Sequence, residues 1–122
     1  MTTRGLVLIT AYVTVTVITA VVNAWAAVAD WMRARFVLAN AADVGVPRSW
    51  LPLLGALKAA GAVGLVIGLA GVRPVGVAAA TGLTLFFVGA IVTHLRARAY
   101  AKVVFPGCFL TLATASLILA IA

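Results

Sequence analysis

The chain has 122 residues, of which 66% are hydrophobic and 9% are charged, and its mean hydropathy is +1.25. Water-soluble domains carry about 25% charged residues, so this composition excludes a soluble globular protein and predicts an integral membrane protein. The formal net charge of +7 does not indicate nucleic-acid binding, because the basic residues lie between apolar runs and form no single patch.

The first apolar segment follows Arg4 and covers residues 5–29. A helix of about 20 residues crosses a bilayer, whereas the apolar core of a signal peptide has roughly 7–15 residues. The segment therefore predicts a membrane span that the protein keeps. Asn23 lies near its end, where we expect the amide to hydrogen-bond across to another helix.

The connection over residues 30–48 mixes charged residues with Trp31 and Phe36. Such a mixture is typical of a segment at the membrane interface or of a short helix over one end of a bundle. We therefore expect an interfacial segment between the first and second spans.

The second predicted span covers residues 50–69 and is rich in glycine. Gly61, Gly64, Gly68 and Gly71 follow each other at helical spacing, and small residues on one face let another helix approach closely. A second copy of the chain or a partner membrane protein is one candidate to pack against that face.

Lys58 lies about 60° from Gly61 around the helix, which predicts a lysine turned into the bundle. The alternative is that its ammonium group reaches the interface and only sets the topology.

Two further spans are predicted over residues 75–95 and 103–122. Four spans joined by short loops predict an all-α, integral membrane four-helix bundle that forms a single domain over residues 1–122. His94 lies at the end of the third span. Cys108 has no second cysteine with which to form a disulfide or a redox pair, so it is expected to be a small packing residue.

Lysine and arginine residues are distributed unequally between the two sides. The first and third loops hold Arg33, Arg35, Arg48, Arg96, Arg98 and Lys102, whereas Arg4 and Arg73 lie on the opposite side. Because basic loops stay in the cytoplasm, this pattern predicts a multi-pass protein of the cell membrane with both termini outside the cytoplasm.

Helix direction places four polar residues in the same half of the membrane: Asn23, Asp30, Lys58 and His94. A lysine inside a span costs ~2.5–3.5 kcal/mol, which favours a partner for its charge, and Asp30 is the candidate partner. We predict ligand binding by Asn23, Trp25, Lys58 and His94. For His94, an ordinary hydrogen-bonding role at a span end is the alternative.

No metal site and no cofactor are predicted. One histidine, without spaced cysteine or carboxylate ligands, does not supply the donors that zinc or iron needs.

Residues 46–69 and 75–97 together resemble the DoxX-like small membrane proteins of bacteria. The matching positions are Gly55, Lys58, Gly61, Gly64, Leu65, Gly89, Ala90 and His94. The resemblance implies a four-helix membrane bundle. Some relatives look like subunits or organisers of membrane redox complexes, including thiosulfate:quinone oxidoreductases, and others look like assembly helpers.

Three functions remain open at this point. The favoured one is a non-enzymatic accessory subunit, or a binder of a lipophilic, quinone-like ligand, in contact with membrane lipid. The second is a small membrane enzyme, an isomerase, cyclase or epoxide-opening hydrolase, acting on an isoprenoid or lipid. Its candidate catalytic residues are Lys58, His94 and Asp30, since acid–base chemistry needs titratable groups beside the substrate. The third is a proton-coupled transporter, which four spans would have to build as a dimer.

Overall fold

The computed structural model describes residues 2–122, and within that range the chain folds into five α-helices. They are α1 (Thr3–Trp31), α2 (Arg35–Val44), α3 (Leu51–Leu69), α4 (Arg73–Arg96) and α5 (Val104–Ile121). Single 3₁₀ turns precede α3 and α5.

The helix boundaries follow from local chemistry. The Thr2 side chain accepts a hydrogen bond from the first turn of α1, as a capping residue does. Pro52 and Pro74 stand within the first two positions of α3 and α4, where a missing N–H costs nothing. Gly45 ends α2 with φ of 74°, and Gly71 has φ of 124° in the turn between α3 and α4, a backbone conformation that favours glycine.

Four of the helices, α1, α3, α4 and α5, are long and apolar enough to cross a membrane. Their extents agree closely with the predicted spans, which confirms the all-α membrane bundle. The segment predicted to lie between the first and second spans contains α2. Cys108 lies exposed on α5, so its predicted packing role is wrong.

The four long helices form an antiparallel ring in the order α1, α3, α4, α5, in which α1 also packs against α5. Small and medium side chains fill the centre, among them Ala62, Leu65, Leu83 and Phe87. The short helix α2 covers the end of the bundle where α1 and α4 finish, with Val37 packed beside Leu51. We call this the α2 end.

Three glycines of the predicted face, Gly61, Gly64 and Gly68, lie against α4 of the same chain, whereas Gly71 lies in the turn after α3 and contacts nothing there, so its predicted place on this face is wrong. A Cβ atom added to Gly61 would meet the Leu83 side chain, and one added to Gly68 would lie 2.6 Å from the Gly76 Cα. The close helix approach that the spacing predicts is therefore made within the chain. Contact of this face with a second chain stays a prediction.

At the end opposite α2, Arg73 joins the start of α4 to the end of α5. Its Nε donates to the Ala120 carbonyl at 2.7 Å, and its guanidinium lies 4.7 Å from the centre of the Tyr12 ring. A cation near the last carbonyls of a helix stabilises that terminus. In the same half of the bundle, the hydroxyls of Thr16 and Ser116 are hydrogen-bonded at 2.8 Å. Polar contacts thus hold α1, α4 and α5 together away from α2.

Substitution of Gly68 by alanine is expected to destabilise the bundle, because the new methyl group would meet the backbone of Gly76. We expect a loss of about 1–3 kcal/mol, as for other overpacked sites. Gly82→Ala is the matched control, since nothing lies within 4 Å of an added Cβ there. Heating both variants in detergent and measuring the remaining monodisperse protein by size exclusion provides the comparison. Equal loss of the two variants would contradict the close α3–α4 contact.

Candidate functional site

A cavity of about 790 Å³ lies beneath α2 and is lined by residues from all five helices. We call it the α2 cavity. Much of its wall is aromatic or aliphatic, including Trp25, Phe36, Leu54, Phe87 and Phe109. Small-molecule sites are typically clefts of about 300–1,000 Å³ with apolar walls and a few placed polar groups. The α2 cavity has the size and the lining of such a site.

One polar group in the wall is an ion pair between α3 and α1. Lys58 Nζ donates to Asp30 Oδ2 at 2.8 Å, and the two side chains are 14% and 5% exposed. This contact confirms Asp30 as the partner of Lys58 and confirms that the lysine turns into the bundle. An ammonium group has three N–H donors, so Lys58 keeps donors for a molecule in the cavity. Its Nζ also lies 5.6 Å from the centre of the Phe86 ring.

The charges around the cavity compensate each other. The chain has two acidic side chains, and each is paired: Asp30 with Lys58, and Asp43 with Lys102 nearer the surface. Both lysines that line the cavity have a carboxylate partner, so neither lysine offers an uncompensated charge to a ligand. A neutral molecule fits this balance better than an ionic one.

A second polar group in the wall joins α4 to α2. His94 is 4% exposed; its Nδ1 lies 2.7 Å from the Ala90 carbonyl oxygen, and its Nε2 lies 3.0 Å from Asn40 Oδ1. Sequence reasoning missed Asn40. A signal was present, because Asn40 follows Val37 by three residues and precedes Ala41, and this spacing places it on the inward face of α2.

Trp25 connects α1 to α2 at the rim of the cavity. Its ring stacks on Phe36, with the ring centres 5.5 Å apart and the planes 6° from parallel. Three of the four predicted ligand-binding residues, Trp25, Lys58 and His94, therefore line one cavity, together with Asp30. Their role in binding a ligand stays a prediction.

Asn23, the fourth predicted ligand-binding residue, is not among the residues that line the cavity. Its Nδ2 donates to the Thr19 carbonyl of its own helix at 2.9 Å, and its Oδ1 is buried without a partner among residues 2–122. The predicted hydrogen bond to another helix is wrong. A carbonyl one turn earlier lies within reach of a short polar side chain and competes for its donor.

Within residues 2–122, no group of three or more His, Cys, Asp or Glu side chains is arranged to hold a metal ion. The polar groups of the cavity are instead hydrogen-bond donors and acceptors set into an apolar wall. Such an arrangement can orient one oxygen-bearing group of a lipophilic molecule.

Breaking the Asp30–Lys58 pair from one side is expected to cost more stability than removing both charges. Asp30→Asn leaves a buried ammonium group without a counterion, a loss of about 3–5 kcal/mol in other proteins, whereas removal of both charges is often close to neutral. We therefore expect Asp30→Asn/Lys58→Met to unfold at a higher denaturant concentration than Asp30→Asn, as measured by circular dichroism in mixed micelles.

The exposed pair provides the control for that cycle. Asp43 and Lys102 have side chains that are 46% and 40% exposed, and such pairs contribute at most about 1 kcal/mol. We expect Asp43→Asn to change stability only slightly. A coupling at this pair as large as that between Asp30 and Lys58 would mean that burial does not determine the difference.

The family comparison agrees with this architecture. The model of the DoxX-like family matches residues 14–116, a stretch that contains α2 and the residues that line the cavity. No curated protein and no solved structure gives a significant match. The family match extends over far more than half of the sequence, so this chain of four membrane-spanning helices belongs to the DoxX-like family.

Proposed function

We propose that this DoxX-like membrane protein binds a neutral, lipophilic, quinone-like molecule in the α2 cavity and serves a membrane complex as a non-enzymatic accessory subunit. The observation that carries the proposal is the cavity itself. It combines about 790 Å³ of largely apolar space with Lys58, whose charge is neutralised by Asp30 and whose ammonium group keeps free hydrogen-bond donors.

The position of the aromatic side chains supports a ligand that arrives from lipid. Trp25 on α1 and Phe105 on α5 both line the cavity and are 57% and 66% exposed. In the opposite half of the bundle, the same two helices are joined by the Thr16–Ser116 hydrogen bond. The cavity thus lies where α1 and α5 lack that connection, and its wall reaches the lipid-facing surface.

The polar groups support binding over catalysis. Both ring nitrogens of His94 already contact protein oxygens, so the imidazole has no nitrogen left for a substrate. The Asp30 carboxylate accepts from Lys58. A carbonyl oxygen of a ligand would find a donor at Lys58, whereas His94 offers no free ring nitrogen for an acid–base reaction.

The distribution of charge supports an orientation. Six lysine and arginine residues lie in the loops at the α2 end, and basic loops stay in the cytoplasm. We therefore place the protein in the cell membrane with the α2 cavity in the cytoplasmic half and both termini on the other side.

Ligand binding is tested with decylubiquinone and protein in lipid nanodiscs, with quenching of tryptophan fluorescence as the readout. We expect Gly89→Leu to weaken quenching at least about tenfold, equivalent to 1.4 kcal/mol, because Gly89 lines the cavity and has open space around an added Cβ.

Gly82→Leu is the matched control for that experiment. Gly82 lies two turns earlier on α4, also has open space, and does not line the cavity, so this variant should bind like the wild type. Asp30→Asn/Lys58→Met should bind more weakly than the wild type. The same quenching in all four proteins would show that the quinone only partitions into the lipid, which would refute the proposed function.

The orientation is tested with reporter fusions. Alkaline phosphatase fused after Ala122 should be active in cells, because the C-terminus is placed outside the cytoplasm, and a green fluorescent protein at the same point should stay dark. Fusions after Arg98, at the α2 end, should give the opposite pattern. A fluorescent C-terminal fusion would reverse the orientation proposed above.

A further inference from the structure

The hydrogen bonds of His94 determine where its ring carries hydrogen. Nδ1 lies 2.7 Å from the Ala90 carbonyl oxygen. A carbonyl oxygen only accepts hydrogen bonds, so Nδ1 must carry the hydrogen and donate it. A neutral imidazole has one N–H, and in neutral His94 that hydrogen is therefore on Nδ1.

The contact on the other side of the ring then depends on protonation. In the structure Nε2 lies 3.0 Å from Asn40 Oδ1; with the amide in this orientation Nε2 is the donor, which is the bonding pattern of a protonated ring. When the ring is neutral, Nε2 is an acceptor and needs a donor. A rotation of the Asn40 amide that exchanges its oxygen and its NH₂ group meets this need. The two groups are similar in size, so either one fits beside Nε2.

The outer atom of the Asn40 amide faces available space. Asn40 lines the α2 cavity, and in the structure this atom is Nδ2. Among residues 2–122, Nδ2 has no hydrogen-bond partner, yet it is not one of the buried unpartnered atoms. Nδ2 is therefore an accessible, unpartnered donor on a residue of the cavity wall.

We propose that Asn40 forms a hydrogen bond with the polar group of the ligand, and that the protonation state of His94 determines whether Asn40 donates or accepts this bond. With His94 protonated, Asn40 presents an N–H donor, which suits a carbonyl oxygen. With His94 neutral, Asn40 presents its oxygen, which suits a hydroxyl hydrogen. The inference rests on the proposed function, since it concerns a ligand of the α2 cavity.

The other charged groups around the cavity do not compete for this role. Asp30 of α1 is paired with Lys58 of α3, and Asp43 of α2 is paired with Lys102 at the start of the last span. The residues of α5 that line the cavity, Phe105, Pro106 and Phe109, do not titrate. Neither pair presents a net charge to the imidazole.

The two oxidation states of a quinone respond differently to this arrangement. A quinone carbonyl only accepts, so its bond to Asn40 exists only while His94 is protonated, and its affinity falls as the pH rises. A quinol hydroxyl both donates and accepts, so it bonds Asn40 in either state. Decylubiquinone should therefore bind about fivefold more tightly at about pH 5.5 than at about pH 8, the effect of one hydrogen bond. Decylubiquinol should change little.

The experiment combines two measurements on protein in nanodiscs. The first is binding of decylubiquinone and, under argon, of decylubiquinol at the two pH values. In Asn40→Leu the pH dependence of quinone binding should disappear. In Thr93→Val, a variant of another polar residue in the cavity wall, the pH dependence should persist.

The second measurement is ¹⁵N nuclear magnetic resonance of histidine-labelled protein, which reports on one residue because the chain has a single histidine. At about pH 8 the hydrogen should be on Nδ1.

The outcomes separate the two proposals. If neither form of the probe binds the wild-type protein at either pH, the proposed function fails and this inference fails with it. If the probe binds with the same affinity at both pH values, or if Asn40→Leu keeps the pH dependence, the inference alone is overturned. A neutral ring with its hydrogen on Nε2 would also overturn it.

Discussion

The ion pair between Asp30 and Lys58 is the interaction on which the α2 end depends. Two charges at this depth are costly to bury, and their cost is reduced because each neutralises the other at 2.8 Å. The pair joins the end of α1 to the middle of α3 and places an ammonium group in the wall of a largely apolar cavity. Stability and the proposed ligand recognition thus depend on the same contact, so we expect a substitution there to affect both.

The two ends of the bundle are built differently. Away from α2, Arg73 and the Thr16–Ser116 bond hold neighbouring helices together, and the glycine face lets α3 and α4 touch at their backbones. At the α2 end, aromatic side chains of α1, α2, α4 and α5 line the cavity, and α2 covers it. The two ends therefore differ in the side chains that fill the space between the helices.

The fold was largely predictable because membrane spans follow from length and hydropathy, and the direction of Lys58 followed from the glycine spacing. The site was predictable only in part. Polar groups in or beside apolar runs are costly to place in a membrane, and Lys58, Asp30 and His94 could be identified in the sequence for that reason. Asn40 lies in a connection that contains other polar residues, so its side chain did not stand out. Asn23 donates to the Thr19 carbonyl of its own helix rather than to another helix. Such choices depend on helix rotation, which periodicity does not specify.

The Thr16–Ser116 contact has a consequence for the surrounding lipid. Because α1 and α5 are hydrogen-bonded at Thr16 and Ser116, whereas Trp25 and Phe105 of the same helices line the cavity at the α2 end, we expect any widening between them at the depth of a single leaflet. The lateral pressure of that leaflet then acts directly on the width of the opening. Acyl chains that raise the pressure there should slow exchange of the proposed ligand, whereas changes confined to the opposite leaflet should have little influence.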